Sequence, residues 1–144
     1  MRSGFTLIEL VVVLLVLGIA TAAVVPSLAL RPSDTAGEDA HAVMRLLRAA
    51  RMGALDRGEA VTLDIQVSTG RYTSSLRRPD ADSVIAEGTL PLAPGSQIKA
   101  HRATAAWTFG ADGSVWGDTV RVGPPEAAVL VRIEPWTGTI HAGH

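Results

Sequence analysis

An apolar run near the start of the chain constrains this sequence more than any other feature. In FTLIELVVVLLVLGIATAAVV, residues 5–25, only Thr6, Glu9 and Thr21 are polar or charged. A helix of about 20 residues crosses the ~30 Å hydrocarbon layer of a bilayer, so the run predicts a membrane helix. Glu9 is out of place there. A carboxylate in that setting costs about 2.5–3.5 kcal/mol on insertion scales, and such groups generally have a partner. Three schemes account for the run. It is an ordinary single-pass anchor. Alternatively it is a secretory signal, with Arg2 as the basic start, Leu10–Leu17 as the apolar centre and Ala20-Thr21-Ala22 as the cleavage site. In the third scheme only the leader Met1–Gly4 is removed, and the apolar helix stays in the mature chain.

Only the third scheme uses Glu9. A cut after Gly4 creates an ammonium group on Phe5, four residues before Glu9. That is about one helical turn, so the two charges share a face. The pair forms within one chain or between neighbouring chains; an ammonium from a neighbour relieves the cost of the carboxylate and favours staggered, side-by-side helices. The stretch Gly4-Phe5-Thr6-Leu7-Ile8-Glu9 resembles the class III signal of type IV pilins and type II secretion pseudopilins. The resemblance implies cleavage between Gly4 and Phe5 by prepilin peptidase, N-methylation of Phe5, and Glu9 as the carboxylate that meets a neighbour's N-terminus during filament assembly. Pro26 stands where many members of that family have a helix-bending proline.

Beyond Pro26 and Pro32 the pattern changes. Ala40, Val43, Met44, Leu47, Ala50, Ala54 and Leu55 recur at three- and four-residue steps and form one stripe. This predicts an amphipathic helix over 34–57, capped by Ser33 or Asp34 and ended by Gly58. Arg45, Arg48, Arg51 and Arg57, with Glu38, Asp39 and Asp56 among them, read as its solvated face rather than as a nucleic-acid patch. From residue 59 the chain reads as short strands. Val61–Val67 alternates strictly, Ser68-Thr69-Gly70 turns, and Arg71–Leu76 returns as its partner. Further strands are expected near 83–87, 96–102, 106–109, 114–116, 119–122, 129–134 and 139–141. Gly110-Ala111-Asp112-Gly113 reads as an Asp-Gly hairpin turn, and Pro135-Trp136-Thr137-Gly138 as another turn.

This second half also resembles a family. The segments AARMGALDRGEAVTL, WTFGADGSVWGDTVRV and VRIEPWTGTIH are similar to the GspH/FimT-type minor pilin domain, with Phe109, Asp112, Gly113, Thr137 and Gly138 at the matching positions. The expected fold is therefore α+β: a long N-terminal pilin-like helix, membrane-spanning and then amphipathic, packed on a C-terminal antiparallel β-sheet or sandwich body. The expected divisions are a leader at 1–4, a transmembrane or filament-core helix at 5–26, the amphipathic helix at 34–57 and a periplasmic β-rich domain at 59–144.

No catalytic set is visible. The histidines His41, His101, His141 and His144 fall into no ligand pattern, and His141-Ala142-Gly143-His144 offers too few ligands for a metal site. Asp80 and Asp82 are too few for calcium and read as solvated loop. Trp107 and Phe109 share a strand face; Trp107, Trp116 and Trp136 read as core or edge packing, and any that is exposed becomes a contact candidate. There is no cysteine, hence no disulfide framework. No cofactor is expected and the chain is not expected to be an enzyme. The resemblance implies an H-type minor pseudopilin of the tip complex, in the inner membrane with its C-terminal domain in the periplasm. Its implied partners are prepilin peptidase, the major and other minor pseudopilins and the inner-membrane assembly platform. A FimT-type minor pilin, in which some members bind DNA, is the first alternative. A net charge of −1 and the absence of Lys or Arg after Glu134 argue against nucleic acid. A secreted β domain released near Ala22 is the second.

Overall fold

The computed structural model describes Val11, Val13 and residues 32–143. Gly4, Phe5, Glu9 and Pro26 lie outside the described residues, as does nearly all of the apolar run. Among the described residues no helix is long and apolar enough to cross a membrane. The chain divides into two units, Met1–Arg31 and Pro32–His144, and residues 32–143 belong to the second.

Helix α1 spans Pro32–Arg57. Ser33 and Asp34 already lie inside it, so neither is the cap expected from the sequence. Gly58 ends it with φ of +63°, a left-handed conformation open to glycine without strain. The expected stripe is buried from Ala40 through Ala54, with Val43, Leu47 and Ala54 at 0% exposure. Leu55 departs from the expectation and is 42% exposed.

Among the described residues nine strands follow: β1 Val61–Gln66, β2 Arg71–Leu76, β3 Ser83–Thr89, β4 Gln97–Lys99, β5 Thr104–Phe109, β6 Val115–Gly117, β7 Val120–Gly123, β8 Val129–Ile133 and β9 Ile140–Gly143. They form two antiparallel sheets, ordered β3-β2-β1-β5-β6 and β4-β7-β8-β9. The period-two pattern of β1 is realised as Val61, Leu63 and Ile65 buried. Their partners across the ladder are Phe109, Trp107 and Ala105, all buried as well. Val120↔Val131 and Val122↔Val129 do the same in the second sheet. Helix α1 lies on β1 and β5 of the first sheet and on β7, β8 and β9 of the second, so its apolar stripe closes one core over both. Burying a Leu or Val side chain contributes about 1.5–3 kcal/mol.

The β5–β6 hairpin forms where Asp-Gly marks it, but by a different turn. A two-residue Asp-Gly turn of type I′ needs positive φ at both central residues. Here the Gly113 N–H bonds the Gly110 carbonyl at 3.0 Å, and the Gly110 N–H bonds Ser114 at 2.8 Å. Gly113 has φ of +85° and among the described residues no non-glycine residue is positive, so the loop is wider, with Asp112 inside a right-handed turn and the glycine after it.

Candidate assembly site

Two polar residues of α1 that read as solvent-facing in the sequence are structural contacts. Asp39 is 2% exposed. Its Oδ1 accepts the Ala93 backbone N–H at 2.9 Å, tying the helix to the loop between β3 and β4, while Oδ2 is buried without a partner. Arg51 is half-buried and donates from Nη1 to the Gly138 carbonyl at 2.9 Å and from Nη2 to the Thr137 carbonyl at 3.0 Å. Asp39, Val43, Leu47, Arg51 and Leu55 follow one another at four-residue steps. They form a single ridge, apolar in the middle and polar near each end, whose polar members grip loops of the body. Arg45, Arg48 and Arg57 are exposed, as expected.

The two turns singled out in the sequence meet at Arg51. Gly138 has φ of +63°, and a Cβ there would strike the Arg51 guanidinium. Gly113 lies against Leu55 and Arg51; a Cβ there would sit 3.8 Å from Leu55 Cδ2 and 3.9 Å from Arg51 Nη2. The turn at 135–138 is further fixed from within. The Gly138 N–H bonds the Glu134 carbonyl at 2.8 Å, and the Glu134 N–H bonds Thr139 at 2.9 Å. The Thr137 hydroxyl donates to Glu134 Oε2 at 3.1 Å and lies 2.8 Å from Thr139 Oγ1. The Val115 N–H of β6 reaches the Pro135 carbonyl at 3.4 Å, joining the turn to the first sheet. One end of the body is thus a compact junction of α1, the β5–β6 turn and the β8–β9 turn.

The tryptophans divide. Trp107 is core, at 2% exposure beside Phe109, with its ring over Gly117. Trp116 and Trp136 are not packed as the sequence suggested: Trp116, the outward residue of β6, is 61% exposed, and Trp136, on the β8–β9 turn beside Arg132–Pro135 and His141, is 94% exposed. Met52 and Leu55 add exposed apolar surface at the junction, and with Arg48, Arg51 and Gly138–Ile140 they line an open groove.

Two carboxylates have shifted acidities. The Ser114 hydroxyl and then the Ser114 backbone N–H hold Asp112 below the usual carboxylate range. Burial, and then the nearby charge of Asp82, push Asp64 up. His141 Nε2 lies 3.8 Å from Glu134 Oε2. Among the described residues no group of three or more His, Asp or Glu side chains is arranged to hold a metal ion. Asp80 and Asp82 are exposed in the β2–β3 connection, and His144 lies outside the described residues.

Comparison with known proteins places this architecture. A family model described as type II transport protein GspH matches residues 39–137. The chain belongs to the GspH family. A second model, the prokaryotic N-terminal methylation motif, matches residues 1–25. No curated protein matches the chain significantly. Among solved structures, the body is similar to the minor pseudopilin EpsH from the type 2 secretion system of Vibrio cholerae, at 20% identity and a TM-score of 0.59, covering 76% of this chain and 96% of that one. It is equally similar to the type IV minor pilin FimU of Pseudomonas aeruginosa, at 15% identity and a TM-score of 0.59, covering 78% and 88%. The fold, one helix followed by antiparallel sheets, is that of the minor pseudopilins and minor pilins, and this GspH-family chain has the framework of a structural, pilin-type protein.

Proposed function

We propose that this GspH-family chain is a minor pseudopilin, a structural subunit near the tip of a type II secretion pseudopilus. It serves there in the export of folded periplasmic proteins across the outer membrane. The observation that carries this reading is the conjunction of a methylation motif at residues 1–25 with a GspH body at residues 39–137. Prepilin peptidase then cuts between Gly4 and Phe5, and Phe5 is N-methylated. The apolar run first anchors the chain in the inner membrane, with the body in the periplasm, and then enters a bundle of like helices, bending at Pro26. Glu9 meets a Phe5 ammonium as the helix docks, which removes the cost of a lone carboxylate among apolar neighbours. The other partners are the remaining minor pseudopilins, the major pseudopilin and the membrane assembly platform. The body needs no cofactor for this role.

A minor pilin of type IV pili is the second reading, favoured by the likeness to FimU at the same TM-score as EpsH. Both readings share the Glu9 step and differ in the filament joined. The test is Glu9→Leu, with wild type and variant recovered from sheared filaments of the producing cells. The variant is expected in the membrane at wild-type level and absent from filaments. Incorporation at the wild-type level refutes the role given to Glu9. Major pseudopilin or major pilin in the wild-type filaments decides between the two readings.

A further inference from the structure

Among the described residues the two sheets leave four edge strands, and three of them are blunted. Strand β3 carries Glu87 and an irregular register against β2. Strands β4 and β6 are three residues long, and β4 ends in Lys99. Strand β9, Ile140-His141-Ala142-Gly143, has no Lys, Arg, Asp, Glu or Pro and pairs only with β8. The ladder fixes which of its backbone groups are free. The Glu134 N–H bonds the Thr139 carbonyl, and bonded pairs recur at every second residue of an antiparallel ladder. In the observed register the next such pairs are Arg132 with His141 and Leu130 with Gly143. Ile140 and Ala142 therefore turn their N–H and carbonyl groups away from β8, towards the open edge.

Helix α1 runs in the same direction as β8: Ala36 lies by Gly123 and Ala128 at the start of that strand, and Arg51 at Gly138 beyond its end. The helix flank of Arg48, Met52 and Leu55 lies across from Thr139 and Ile140, with an open groove of about 560 Å³ between them. Met52 and Leu55 are exposed and Ile140 is half-buried. The lining holds two guanidinium groups and no carboxylate. Arg51 keeps its charge while it binds the Thr137 and Gly138 carbonyls. Arg48 is exposed and makes no hydrogen bond or ion pair among the described residues. Asp112 and Glu134 keep their negative charge on adjacent turns, but neither lines the groove.

We propose that β9 takes up an extended peptide segment as an added strand in this groove, one carrying an acidic and an apolar side chain two positions apart. Main-chain bonds to Ile140 and Ala142 supply the affinity, and alternate side chains facing α1 supply the choice of sequence. Two residues of a strand span roughly 6.6 Å, and the four residues from Arg48 to Met52 span roughly 6 Å of helix. The carboxylate thus reaches Arg48 where the apolar side chain reaches Met52 and Leu55. A second copy of β9 fits less well, because it has no acid and brings another Arg48 into the same space. A nucleic-acid strand also fits less well, because the groove has no aromatic platform and one uncommitted arginine. The proposal is independent of which filament the chain joins.

The probe is the peptide acetyl-Ser-Thr-Glu-Thr-Leu-Thr-Ser-amide, titrated into detergent-solubilised full-length protein; the control peptide has lysine in place of glutamate. Calorimetry is expected to show saturable one-to-one binding of the glutamate peptide, and binding of the lysine peptide weaker by at least about tenfold. Amide exchange followed by nuclear magnetic resonance is expected to slow at Ile140 and Ala142 when the glutamate peptide is bound. Arg48→Glu is expected to reverse the preference between the two peptides. Ala142→Pro removes an N–H that β8 does not use, so it is expected to keep the thermal midpoint and to weaken binding at least about tenfold. No binding of the glutamate peptide, binding without slowed exchange at Ile140 and Ala142, or equal affinity for the two peptides overturns the proposal. Slowed exchange at these amides without peptide, growing with protein concentration, assigns the edge to a second copy and overturns it as well.

Discussion

Arg51 is the residue whose removal most sharply tests how the body is held together. Arg51→Ala deletes two charge-assisted hydrogen bonds, at 2.9 Å to the Gly138 carbonyl and 3.0 Å to the Thr137 carbonyl. Bonds to charged groups contribute about 1.5–3 kcal/mol each when well shielded. Gly138 is buried, but the Thr137 bond is exposed and its carbonyl is rehydrated once Arg51 is gone. The expected net loss is therefore about 2 kcal/mol rather than the sum. For a body the size of Pro32–His144 this lowers the thermal midpoint by roughly 8 °C. Arg51→Lys, a single point donor, cannot span both carbonyls and should lose about half as much. Gly138→Ala supplies the control. It forces a non-glycine residue to φ of +63°, costing about 1–2 kcal/mol, and drives a Cβ into the guanidinium. In the Arg51→Ala background only the backbone cost is left, so the two substitutions should be less than additive by about 1 kcal/mol. Full-length variants in detergent, followed by near-ultraviolet circular dichroism on heating, give the numbers. An Arg51→Ala midpoint within about 2 °C of wild type, or strict additivity with Gly138→Ala, refutes the clamp.

Asp39→Ala leaves the Ala93 N–H without its acceptor and should cost about 1–3 kcal/mol in urea unfolding, whereas Asp39→Asn keeps an acceptor oxygen and should lose less. The pKa of Asp64 in the folded chain lies above its ordinary 3.8, so the folded chain holds the proton more tightly than the unfolded chain. Its contribution is most favourable at low pH and declines as pH rises from about 3.8 through the raised value. Asp64→Asn is accordingly expected to stabilise the body modestly at pH 7 and to flatten that part of the stability–pH curve, as measured by thermal midpoints between pH 3 and 7.

Much of this fold is legible from periodicity. The alternation of Val61–Val67 marks β1 and its buried face, and the Ser-Thr-Gly turn marks β2 with the observed antiparallel pairing. The three-four stripe marks α1 and most of its core. The exceptions have physical causes. At about 100° per residue Leu55 lies at the margin of the stripe, well round the helix from Leu47, and is 42% exposed. Charge alone puts Asp39 and Arg51 on the solvated face, although their four-residue spacing from Val43 and Leu47 places them on the buried ridge. That spacing is the available signal. It competes with the rule that charged groups are rarely buried without partners, and the partners here are backbone groups 54 and 86–87 residues away. Trp116 and Trp136 read as packed because tryptophan usually packs; Trp116 is instead the outward residue of β6 beside buried Val115, and Trp136 sits in the β8–β9 turn, where alternation gives no signal. The N-terminal site is legible in a different way. The stretch Gly4–Glu9 is read as a processing signal from residue order alone, with no fold needed, and the N-terminal methylation motif model matches residues 1–25.

The central claim, a pilin-type subunit assembled through Phe5 and Glu9, is tested most directly by the mature N-terminus. Intact and peptide mass spectrometry of the membrane-bound protein, from cells with and without prepilin peptidase, reads it. The expected chain begins at N-methylated Phe5 when the peptidase is present, and keeps its leader when it is absent. A chain beginning near Ala23, or one whose leader stays uncut in both samples, contradicts the claim and deprives Glu9 of its ammonium partner.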